Sequence, residues 1–432
     1  MIFELFKLNV HHYPTLPGLA INIFKSNFMK EENIPKLSGK IANDIRSGYT
    51  GGSCDVFIPQ SKPKVKIKCL DVNSLYPFIM VNNCLPVGTP NYFKGNILKI
   101  DPNAFGFFFC KINAPNNIEH PILQTHVKTN NGIRTISPIG TWNDMIFSNE
   151  MYNAMKYGYT FEVLWGYTFE SDIVFKDYVD FLYNLRSQYD KSNPMNFIAK
   201  ILMNSLYGRF GMDDNFLEIK VIHKNYYPNF ENKFIDSITD VLDLEDYKLV
   251  KFRLEKDETD ETELDISIGV AAAITANARV YMSQFKNNPK IVLYYTDTDS
   301  IYIDENSETD INLINDKILG KLKLENIAKK AIFLAPKVYC LKLENGETVY
   351  KAKGLKHEIE LTMNDFEQLL NKNALLKKYQ TKWFRNLSEG QINLLEQVYT
   401  LQVTDNKRKL IYKNNKLITT KAYKIDINKT IK

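Results

Sequence analysis

The stretch YTDTDS, residues Tyr295 to Ser300, lies inside a run that otherwise reads LYY…IYI. Such a run predicts a β-strand, in which side chains at positions i and i+2 point to the same face. Asp297 and Asp299 are therefore expected side by side, where like charges repel and each raises the pKa of the other. A divalent cation relieves this repulsion, because hard ions such as Mg²⁺ prefer carboxylate oxygens. The stretch therefore predicts a metal site.

The composition narrows the class of protein. A length of 432 residues indicates two to three domains, or one enzyme with subdomains. A net charge of +5 with a pI of about 8.6 permits a nucleic-acid partner. No apolar run reaches the roughly 18 residues of a membrane span, so no membrane partner is expected. The cysteines show no CxxC pair, which predicts reduced thiols in place of a zinc site or disulfides. They are Cys54, Cys69, Cys84, Cys110 and Cys340.

A third carboxylate is needed beside this pair, and Asp71 in CLDVNSLYPFIM is the best candidate. The preceding SKPKVKIK alternates lysine with proline and β-branched residues, which predicts a strand. Asp71 then lies at the end of that strand, just before a turn-like SLYP. Three carboxylates on neighbouring strands suit metal-assisted phosphoryl transfer. One ion would lower the pKa of an attacking hydroxyl, and the other would bind a triphosphate.

A helix with a polar face complements the carboxylates. We expect it over about 194–207, ending at Gly208, within KILMNSLYGRFG. Lys200, Asn204, Tyr207 and Gly211 follow one another at helical spacing and share one face. A lysine there can bind phosphate, and a tyrosine offers a flat surface for a base.

Each of these features also has a structural interpretation. A DxD pair often lies in a surface turn, an exposed Lys/Asn/Tyr face is usually only solvated, and SLYP can be a turn with a core tyrosine. The motifs gain weight from their order along the chain.

Other segments have simpler predictions. Residues 148–158 predict a helix capped by Ser148 or Asn149, and 172–190 and 269–285 predict two more, the last one buried. The stretch 212–265 reads as an insertion whose EKDETDETELD, 255–265, forms an acidic loop. Near the C-terminus, KLIYKNNKLITT predicts a hairpin that turns at Asn414 and Asn415.

The motifs DVNSLYP, K…NSLYG and YTDTDS, in this order, resemble motifs A, B and C of family B DNA polymerases. Their wording is similar to that of the protein-primed branch of linear mitochondrial plasmids and phages. YTGG at 49–52 resembles the segment that joins the exonuclease and polymerase domains in that branch. PKVY at 336–339 resembles its KxY motif, and KGLK at 353–356 its lysine-glycine segment. The resemblance covers about residues 40–360.

The resemblance implies a role for each matching residue. Asp71, Asp297 and Asp299 would be catalytic, with two Mg²⁺ ions (or Mn²⁺) bound at Asp71, Val72 and Asp299. Tyr76 would stack under the incoming sugar and exclude a 2′-hydroxyl by steric clash. The incoming dNTP would be bound by Ser74, Leu75, Tyr76, Lys200, Asn204 and Tyr207. Primer-template DNA would be bound by Tyr49, Gly51, Gly52, Gly208, Lys337, Tyr339 and Lys353. Arg186 is a further phosphate-binding candidate that no motif anchors.

The resemblance implies an α+β fold with the right-hand shape of polymerases: a palm with an antiparallel sheet, helical fingers and a small thumb. The expected segments are an exonuclease remnant and linker (1–60), palm with motif A (61–84), a palm insertion (85–171), fingers with motif B (172–211), a second insertion (212–265), palm with motif C and KxY (266–359), and thumb (360–432). The basic hairpin of the thumb would grip duplex phosphates.

The implied function is template-directed DNA synthesis from dNTPs, primed by a hydroxyl of a terminal protein. Only about 40 residues precede YTGG, so we expect a chain that lacks most of the exonuclease domain and does not proofread. Two alternatives stay open. The chain could be an inactive remnant that only binds primer-template DNA. A reverse transcriptase would carry two adjacent aspartates, whereas Thr298 separates them here.

The abundance of Asn, Lys, Ile, Tyr and Phe hints at an A+T-rich genome such as that of an organelle or a plasmid. Together with the resemblance, this bias predicts a mitochondrial location, with the cytoplasm as the alternative.

Overall fold

The computed structural model describes residues 2–29, 34–129, 132–212, 217–234, 237–253, 267–386, 391–405 and 407–431. Its sheets are almost entirely antiparallel and are combined with helices, so the α+β class is confirmed. The α-helices of these ranges are α1 (Ile2–Phe6), α2 (Leu16–Asn27), α3 (Gly39–Ser47), α4 (Leu75–Asn82), α5 (Ser148–Met155), α6 (Lys176–Ser187), α7 (Pro194–Phe210), α8 (Tyr227–Phe234), α9 (Ile268–Ser283) and α10 (Met363–Leu369).

The strands are more numerous and fall into six sheets or hairpins. In chain order they are β1 (Cys54–Val56), β2 (Ile67–Val72), β3 (Leu85–Lys94), β4 (Gly106–Ala114), β5 (Thr125–Thr129), β6 (Gly132–Ile136), β7 (Ile139–Phe147), β8 (Thr160–Asp172), β9 (Leu217–His223), β10 (Ile238–Asp243), β11 (Tyr247–Arg253), β12 (Leu293–Asp297), β13 (Ser300–Asp304), β14 (Leu322–Ala335), β15 (Val338–Leu343), β16 (Thr348–Ala352), β17 (Leu375–Asn386), β18 (Gln391–Gln402), β19 (Lys409–Lys413), β20 (Lys416–Lys421) and β21 (Lys424–Ile425).

The central sheet has seven antiparallel strands in the order β1-β12-β13-β2-β14-β15-β16. Its strands are rich in β-branched and aromatic residues, which fit a pleated surface. On one face the rings of Tyr295, Tyr302, Phe333 and Tyr339 pack together, with Tyr295 stacked on Phe333 at 5.0 Å between centroids. This sheet carries both aspartate motifs, so its register decides which carboxylates meet.

A layer of helices supports the ends of the central strands. Helix α9 is buried along nearly its whole length and contacts α3, α4, α5 and α7. A helix that is apolar on every side is stable only when it is enclosed in this way. The buried residues of α9 belong to the largest apolar core, together with the inner faces of α2, α4, α6 and α7. Because α4 and α7 share this core, the segments around DVNSLYP and KILMNSLYG are fixed relative to the sheet.

The segment predicted as an insertion, 85–171, forms its own sheet with the order β21-β7-β4-β8-β3. Its edge strand β21 comes from the C-terminal end of the chain and pairs in parallel with β7. The segment after α7 forms a three-stranded sheet of β9, β10 and β11 with α8 beside it. Three two-stranded hairpins complete the chain: β5–β6, β17–β18 and β19–β20.

Several local predictions are confirmed. The helices expected at 172–190 and 269–285 are α6 and α9. The hairpin expected at Asn414 and Asn415 is β19–β20, with both turn residues at positive φ of 49° and 61°. All five cysteines are free thiols.

Two predictions on the approach to Asp71 are wrong. The lysine-rich stretch is extended as a strand only from Ile67 onward. Pro63 lacks a backbone donor, and Lys64 has a left-handed φ of 63°, so this part forms a turn. The SLYP sequence forms a turn only at Ser74, because Leu75 begins helix α4 and Pro77 lies in its first turn, where proline is tolerated.

Two helix ends also differ from their predictions. Helix α7 does not stop at Gly208 but continues to Phe210, with Gly211 as its C-cap. An exposed glycine costs a helix only about 1 kcal/mol, and Phe210 is buried in the core. Helix α5 has Phe147 as its N-cap, because the Ser148 hydroxyl accepts a hydrogen bond from Gly106 N at 3.1 Å.

The acidic loop predicted at 255–265 lies outside the described residues. Within the described part of the chain, none of the helices combines the length and hydropathy that crossing a membrane requires.

Candidate active site

Asp71 is held at the end of β2 by the loop that precedes β14. Asn73 donates its backbone N–H to Lys321 O at 2.9 Å and its side-chain amide to Asn315 O at 2.7 Å. The next residue, Ser74, has a left-handed backbone with φ 51° and ψ 61°. A non-glycine residue with this backbone is uncommon and usually marks a functional turn. The turn directs the chain straight from Asp71 into α4, so the first turn of α4 lies beside the carboxylate.

The YTDTDS stretch is a hairpin and not one continuous strand, which corrects the sequence prediction. Strand β12 ends at Asp297, and β13 begins at Ser300. Thr298 turns the chain with a left-handed φ of 60°, and Asp299 N donates to Asp297 O at 2.7 Å. The two aspartates therefore lie on opposite sides of a tight turn, and their side chains have different surroundings.

The hairpin brings Asp299 beside Asp71. Ser300 pairs with Asp71 in the sheet register, and Val72 N donates to Asp299 O at 2.8 Å. Both carboxyl groups are largely shielded from water, which raises the pKa of Asp71 to about 7 and that of Asp299 to about 6. The negative charges of Asp299 and Glu325 raise the pKa of Asp71 further. The pair therefore carries more negative charge than its protein surroundings compensate.

Asp297 has a different partner. Its carboxylate forms an ion pair with Lys337 Nζ at 2.7 Å, and Tyr295 Oη donates to it at 3.4 Å. Lys337 has a left-handed φ of 60°, and its backbone N–H donates to Tyr295 Oη at 2.7 Å. Asp297 is thus neutralised by a side chain of the protein, whereas Asp71 and Asp299 are not.

Asp71 and Asp299 line a polar cavity of about 320 Å³ between the central sheet and helices α4, α6 and α7. This volume is at the lower end of the range for small-molecule sites. Among the predicted residues, the cavity is also lined by Val72, Ser74, Leu75, Tyr76, Arg186, Lys200, Asn204 and Tyr207. Carboxylates thus stand on the sheet side, and Arg186 and Lys200 on the helix side. Such a cavity can hold a cation next to a polyanion.

Two tyrosines close one side of the cavity. The rings of Tyr76 and Tyr207 are stacked, with 4.3 Å between centroids and an interplanar angle of 28°. Burial and the neighbouring Tyr207 raise the pKa of Tyr76, so its hydroxyl stays protonated. Arg186 Nη1 donates to Ser74 Oγ at 3.4 Å, which places the guanidinium beside the N-terminus of α4. A planar surface and a cation therefore face the same space.

The YTGG loop is anchored by a buried ion pair. Arg279 of α9 donates to Thr50 O at 2.6 Å and Gly51 O at 3.0 Å. The same guanidinium binds Glu150 of α5 through two hydrogen bonds of 2.7 Å. Gly52 packs directly on Thr298, where a Cβ on the glycine would come within 2.6 Å of the Thr298 side chain. The loop is therefore in contact with the turn between the two motif aspartates.

The remaining residues predicted to bind DNA do not themselves line the cavity. Gly208 is exposed on α7, and Lys353 follows β16, where its backbone N–H donates to Lys337 O at 3.1 Å. Tyr339 is buried, and its hydroxyl accepts a hydrogen bond from Tyr302 at 3.0 Å. Tyr49 is half-buried and accepts a hydrogen bond at its carbonyl from His126 at 3.0 Å.

Four charged residues in the cavity were not found from the sequence. They are Lys191, Asp316, Lys323 and Glu325. Lys323 pairs with Asp71 across β14 and β2, so a neighbouring strand that is distant in sequence places Lys323 and Glu325. Lys191 comes from the connection between α6 and α7, and Asp316 from the loop before β14. Arg279 of α9 and Glu150 of α5 were missed as well. Nothing in the local sequence of either helix indicates that these two side chains form a pair.

The residues present fit a divalent cation. No cluster of three or more His, Cys, Asp or Glu arranged as a metal site occurs among the described residues. Asp71 and Asp299 nevertheless form a carboxylate pair whose pKa values are raised by burial and, to a smaller extent, by neighbouring carboxylates, and oxygen ligands of this kind suit Mg²⁺. The protein supplies two carboxylates, and a substrate phosphate can complete the coordination.

The antiparallel central sheet ends in the carboxylate pair of Asp71 and Asp299, and the cations of α6 and α7 stand opposite this pair. The fold and the site together define an α+β protein with a charged cleft that suits a polyanion. The chain belongs to the family described as DNA polymerase type B, organellar and viral, which matches residues 1–292. The resemblance found from the motifs is therefore confirmed.

Curated proteins of similar sequence carry DNA polymerase names. A "Probable DNA polymerase" of Ascobolus immersus is 36% identical over 437 residues, covering 100% of this chain and 35% of the relative. One from Neurospora intermedia is 35% identical, covering 91% of this chain and 41% of the relative. A "DNA polymerase" of Streptococcus phage Cp-1 is 26% identical, covering 78% of this chain and 58% of the relative. The chain thus spans well under half the length of these two fungal relatives.

The fold matches a solved structure. Phi29 DNA polymerase complexed with primer-template DNA and incoming nucleotide substrates superimposes with a TM-score of 0.65 over 90% of this chain and 68% of that chain. The sequence identity is 21%. The similarity shows that the two share a fold, and the predicted polymerase right hand is confirmed as the fold class.

Proposed function

We propose that this chain catalyses template-directed DNA synthesis, adding dNTPs to a 3′-hydroxyl. One observation carries the proposal: Asp71 and Asp299 share a cavity with Arg186, Lys200 and Tyr207. A triphosphate needs cations around its oxygens, and its nucleoside needs a flat surface. The match to a polymerase solved with primer-template DNA and incoming nucleotides supports the same conclusion.

Two Mg²⁺ ions, or Mn²⁺ in their place, would be held by Asp71 and Asp299 with the backbone at Val72. Bound there, the ions would supply charge neutralisation for the triphosphate and a lowered pKa for the attacking hydroxyl. Asp297 would act through its ion pair with Lys337, which fixes the turn that presents Asp299.

The helix side of the cavity would bind the dNTP. Lys200 and Arg186 reach the cavity from α7 and α6 and would bind the phosphates. Asn204 and Tyr207 lie on the same helix face as Lys200 and would contact the nascent base pair. Ser74 and Leu75 would contribute through the backbone of the left-handed turn, since Leu75 itself is buried. Tyr76 would lie under the sugar and exclude a 2′-hydroxyl by its bulk.

The DNA strands would pass on either side of the YTDTDS hairpin. Tyr49, Gly51 and Gly52 would contact the template strand, because the YTGG loop lies against Thr298. Lys337, Lys353 and Gly208 would contact DNA backbone close to the cavity. Tyr339 is buried on β15, just after the turn that carries Lys337, so we assign it the role of supporting that turn beneath the primer terminus.

The biological setting is part of the proposal. The matched family is described as organellar and viral, and the curated relatives come from fungi and phages. We infer replication of a linear plasmid in mitochondria, primed by a hydroxyl of a terminal protein. The sheet of 85–171 is the surface we assign to that protein.

A binding-only remnant is the competing function. Extension of a labelled primer on a DNA template, with dNTPs and Mg²⁺, separates the two. Catalysis predicts extension by the wild type and none by Asp299→Asn, with DNA binding of the two proteins nearly equal. Binding without extension by both proteins would establish the remnant. Loss of DNA binding in Asp299→Asn would count against the metal-site assignment.

A further inference from the structure

A second cavity, of about 860 Å³, lies next to the residues that follow β1. Three further parts of the chain line most of the rest of it: the turn between β4 and β5, the segment between α9 and β12, and the residues in and around the hairpin β19–β20. Its polar lining consists of Asn116, Asn117, Glu119, His120, Tyr157, Lys286, Asn287, Asn288, Arg408, Thr419, Thr420 and Lys421. None of these residues belongs to the active-site cavity.

Two cations of this cavity are removed from water. Lys286 and Arg408 are only 5% exposed each. Lys286 donates to Ser53 Oγ at 2.7 Å and lies 3.9 Å from Asp55, which is equally buried. Arg408 donates from Nε to Thr420 Oγ1 at 2.8 Å and lies 4.8 Å from the centroid of the Phe57 ring. Burying a cation is costly unless an anion compensates it.

The anions around the cavity do not balance these cations. Asp55 interacts with both Lys286 and Arg408, and also with Lys407, which does not line the cavity. Glu119 faces Arg408 and is exposed. With Lys421, the lining contains three cations and one carboxylate, Glu119. Lys407 and Asp55, which interact with these groups but do not line the cavity, bring the local count to four cations against two carboxylates. Burial, together with repulsion from Arg408 and Lys407, lowers the pKa of Lys286 to about 8, although Asp55 opposes the shift. A negatively charged ligand would relieve this excess.

Two buried nitrogens are left without a partner. Among the described residues, nothing accepts a hydrogen bond from Arg408 Nη1, and His120 Nδ1 has no partner either. A buried polar atom without a partner is uncommon and calls for an explanation. Both residues line the cavity, and the backbone of His120 is fixed by reciprocal hydrogen bonds with the Asn287 amide at 3.1 and 2.8 Å. The Arg408 guanidinium and the backbone of His120 are therefore held in place before any ligand arrives.

We propose that this cavity binds a phosphate group. A phosphate carries up to two negative charges and several acceptor oxygens, which match the excess of cations and the free donors. The volume is large enough for a whole nucleotide. The phosphate could belong to a free compound or to a nucleic-acid strand, because both present the same group.

The probe is inorganic phosphate, in EDTA so that the metal-dependent site stays without cations. Thermal unfolding of the whole chain is followed against phosphate concentration, with chloride at equal ionic strength as the reference. Wild type should show a saturable rise in Tm. Arg408→Gln should weaken the apparent affinity by about tenfold or more, because it removes a charged donor.

Arg408 is buried, so a second variant protects the test against misfolding. Asn117→Asp adds a negative charge to an exposed turn residue of the rim and should weaken phosphate binding by roughly threefold to fivefold. Its matched control is Asn428→Asp, an exposed turn residue outside the cavity, with wild-type affinity expected. Lys200→Gln, in the active-site cavity, should also keep wild-type phosphate affinity.

Three results would overturn the proposal: no rise in Tm beyond that in chloride, equal affinity in Asn117→Asp and wild type, or loss of binding in Lys200→Gln. The last would assign the phosphate to the active-site cavity. Where binding occurs as expected, a short single-stranded oligonucleotide identifies the source. Competition assigns the site to a strand phosphate, and its absence assigns it to a free phosphate compound.

Discussion

Two groups of buried charge flank the YTDTDS hairpin and differ in how they are balanced. Arg279 and Glu150 form a bidentate ion pair, and the remaining donor of the Arg279 guanidinium binds carbonyls of the YTGG loop. Asp71 and Asp299 instead face each other and Glu325, and their pKa values rise to about 7 and about 6. The first group is satisfied within the protein, whereas the second needs a cation from outside.

The two groups therefore serve different purposes: the Arg279–Glu150 pair supports the structure, and the Asp71–Asp299 pair serves the chemistry. A balanced buried ion pair is weak evidence for a catalytic or binding role. The loss of one partner mainly lowers stability, because the other charge is then left buried without compensation. Unbalanced carboxylates in a cleft are costly to keep in the free protein and are typical of sites that bind ions or substrates. Substitutions in the two groups should therefore affect different properties, and the following predictions use that contrast.

The largest effect is expected for Asp71→Asn. Losing one of two carboxylates should reduce the primer-extension rate at least about a thousandfold, or about 4 kcal/mol of activation free energy. The stability of the metal-free protein should stay equal or rise, because a repulsion is removed. Single-turnover extension and urea unfolding measure both. The control Asp246→Asn, an exposed residue of the three-stranded sheet, should behave as wild type. An Asp71→Asn protein that keeps a tenth of the rate would contradict the assignment.

Glu150→Gln should show the opposite pattern. It leaves the Arg279 guanidinium buried without a counter-charge, so we expect the free energy of unfolding to fall by about 3 kcal/mol. Template binding should weaken with it, because the YTGG loop is released. Glu162→Gln removes an exposed carboxylate 3.9 Å from Lys111 and should change stability by less than about 0.5 kcal/mol. Equal stability of the Glu150→Gln protein and wild type would remove the contrast between the two groups.

Tyr76→Val should act on selectivity. The smaller side chain leaves space under the sugar, so discrimination against rNTPs should fall by about tenfold to a hundredfold, as for a group added to a pocket. Competing incorporation of dNTP and rNTP measures the ratio. Tyr76→Phe keeps the ring stacked on Tyr207 and should retain the discrimination. If the ratio is unchanged in Tyr76→Val, Tyr76 is not the gate.

The smallest effect is expected for Lys337→Met. The ion pair with Asp297 is half exposed on the lysine side, so stability should fall by less than about 1 kcal/mol. Extension should slow by roughly fivefold, because Asp297 then repels Asp299 without compensation. Lys342→Met on the same sheet is the control, with its exposed lysine away from the hairpin. A thousandfold loss in Lys337→Met would mean that Lys337 takes part in the chemistry directly.

The sequence predicted the elements that depend on local patterns. The apolar run of α9, the periodicity of α6 and the Asn414–Asn415 turn all follow from neighbouring residues. The sequence also predicted that Lys200, Asn204 and Tyr207 share one helix face, because their spacing matches the helical repeat. All three line the cavity.

What the sequence did not predict depends on distant contacts. The Thr298 turn breaks the expected strand because the YTGG loop packs on it, and Thr298 N donates to Ser53 O at 2.9 Å. Glu325 reaches the carboxylates from the register shift of β14 against β2, between Leu324 and Asn326. The Arg279–Glu150 pair joins two helices that are 129 residues apart in sequence. Pairings of this range are set by the whole core and have no local signal.

Asp71 and Asp299 carry negative charges whose repulsion a bound divalent cation should relieve. Denaturant unfolding of wild type and Asp299→Asn, with MgCl₂ against NaCl at equal ionic strength, tests it without any substrate. Mg²⁺ should stabilise the wild type by about 1.4 kcal/mol at a tenfold excess over its Kd, and Asp299→Asn should lose this gain. Equal stabilisation of the two proteins, or none in either, would contradict the claim.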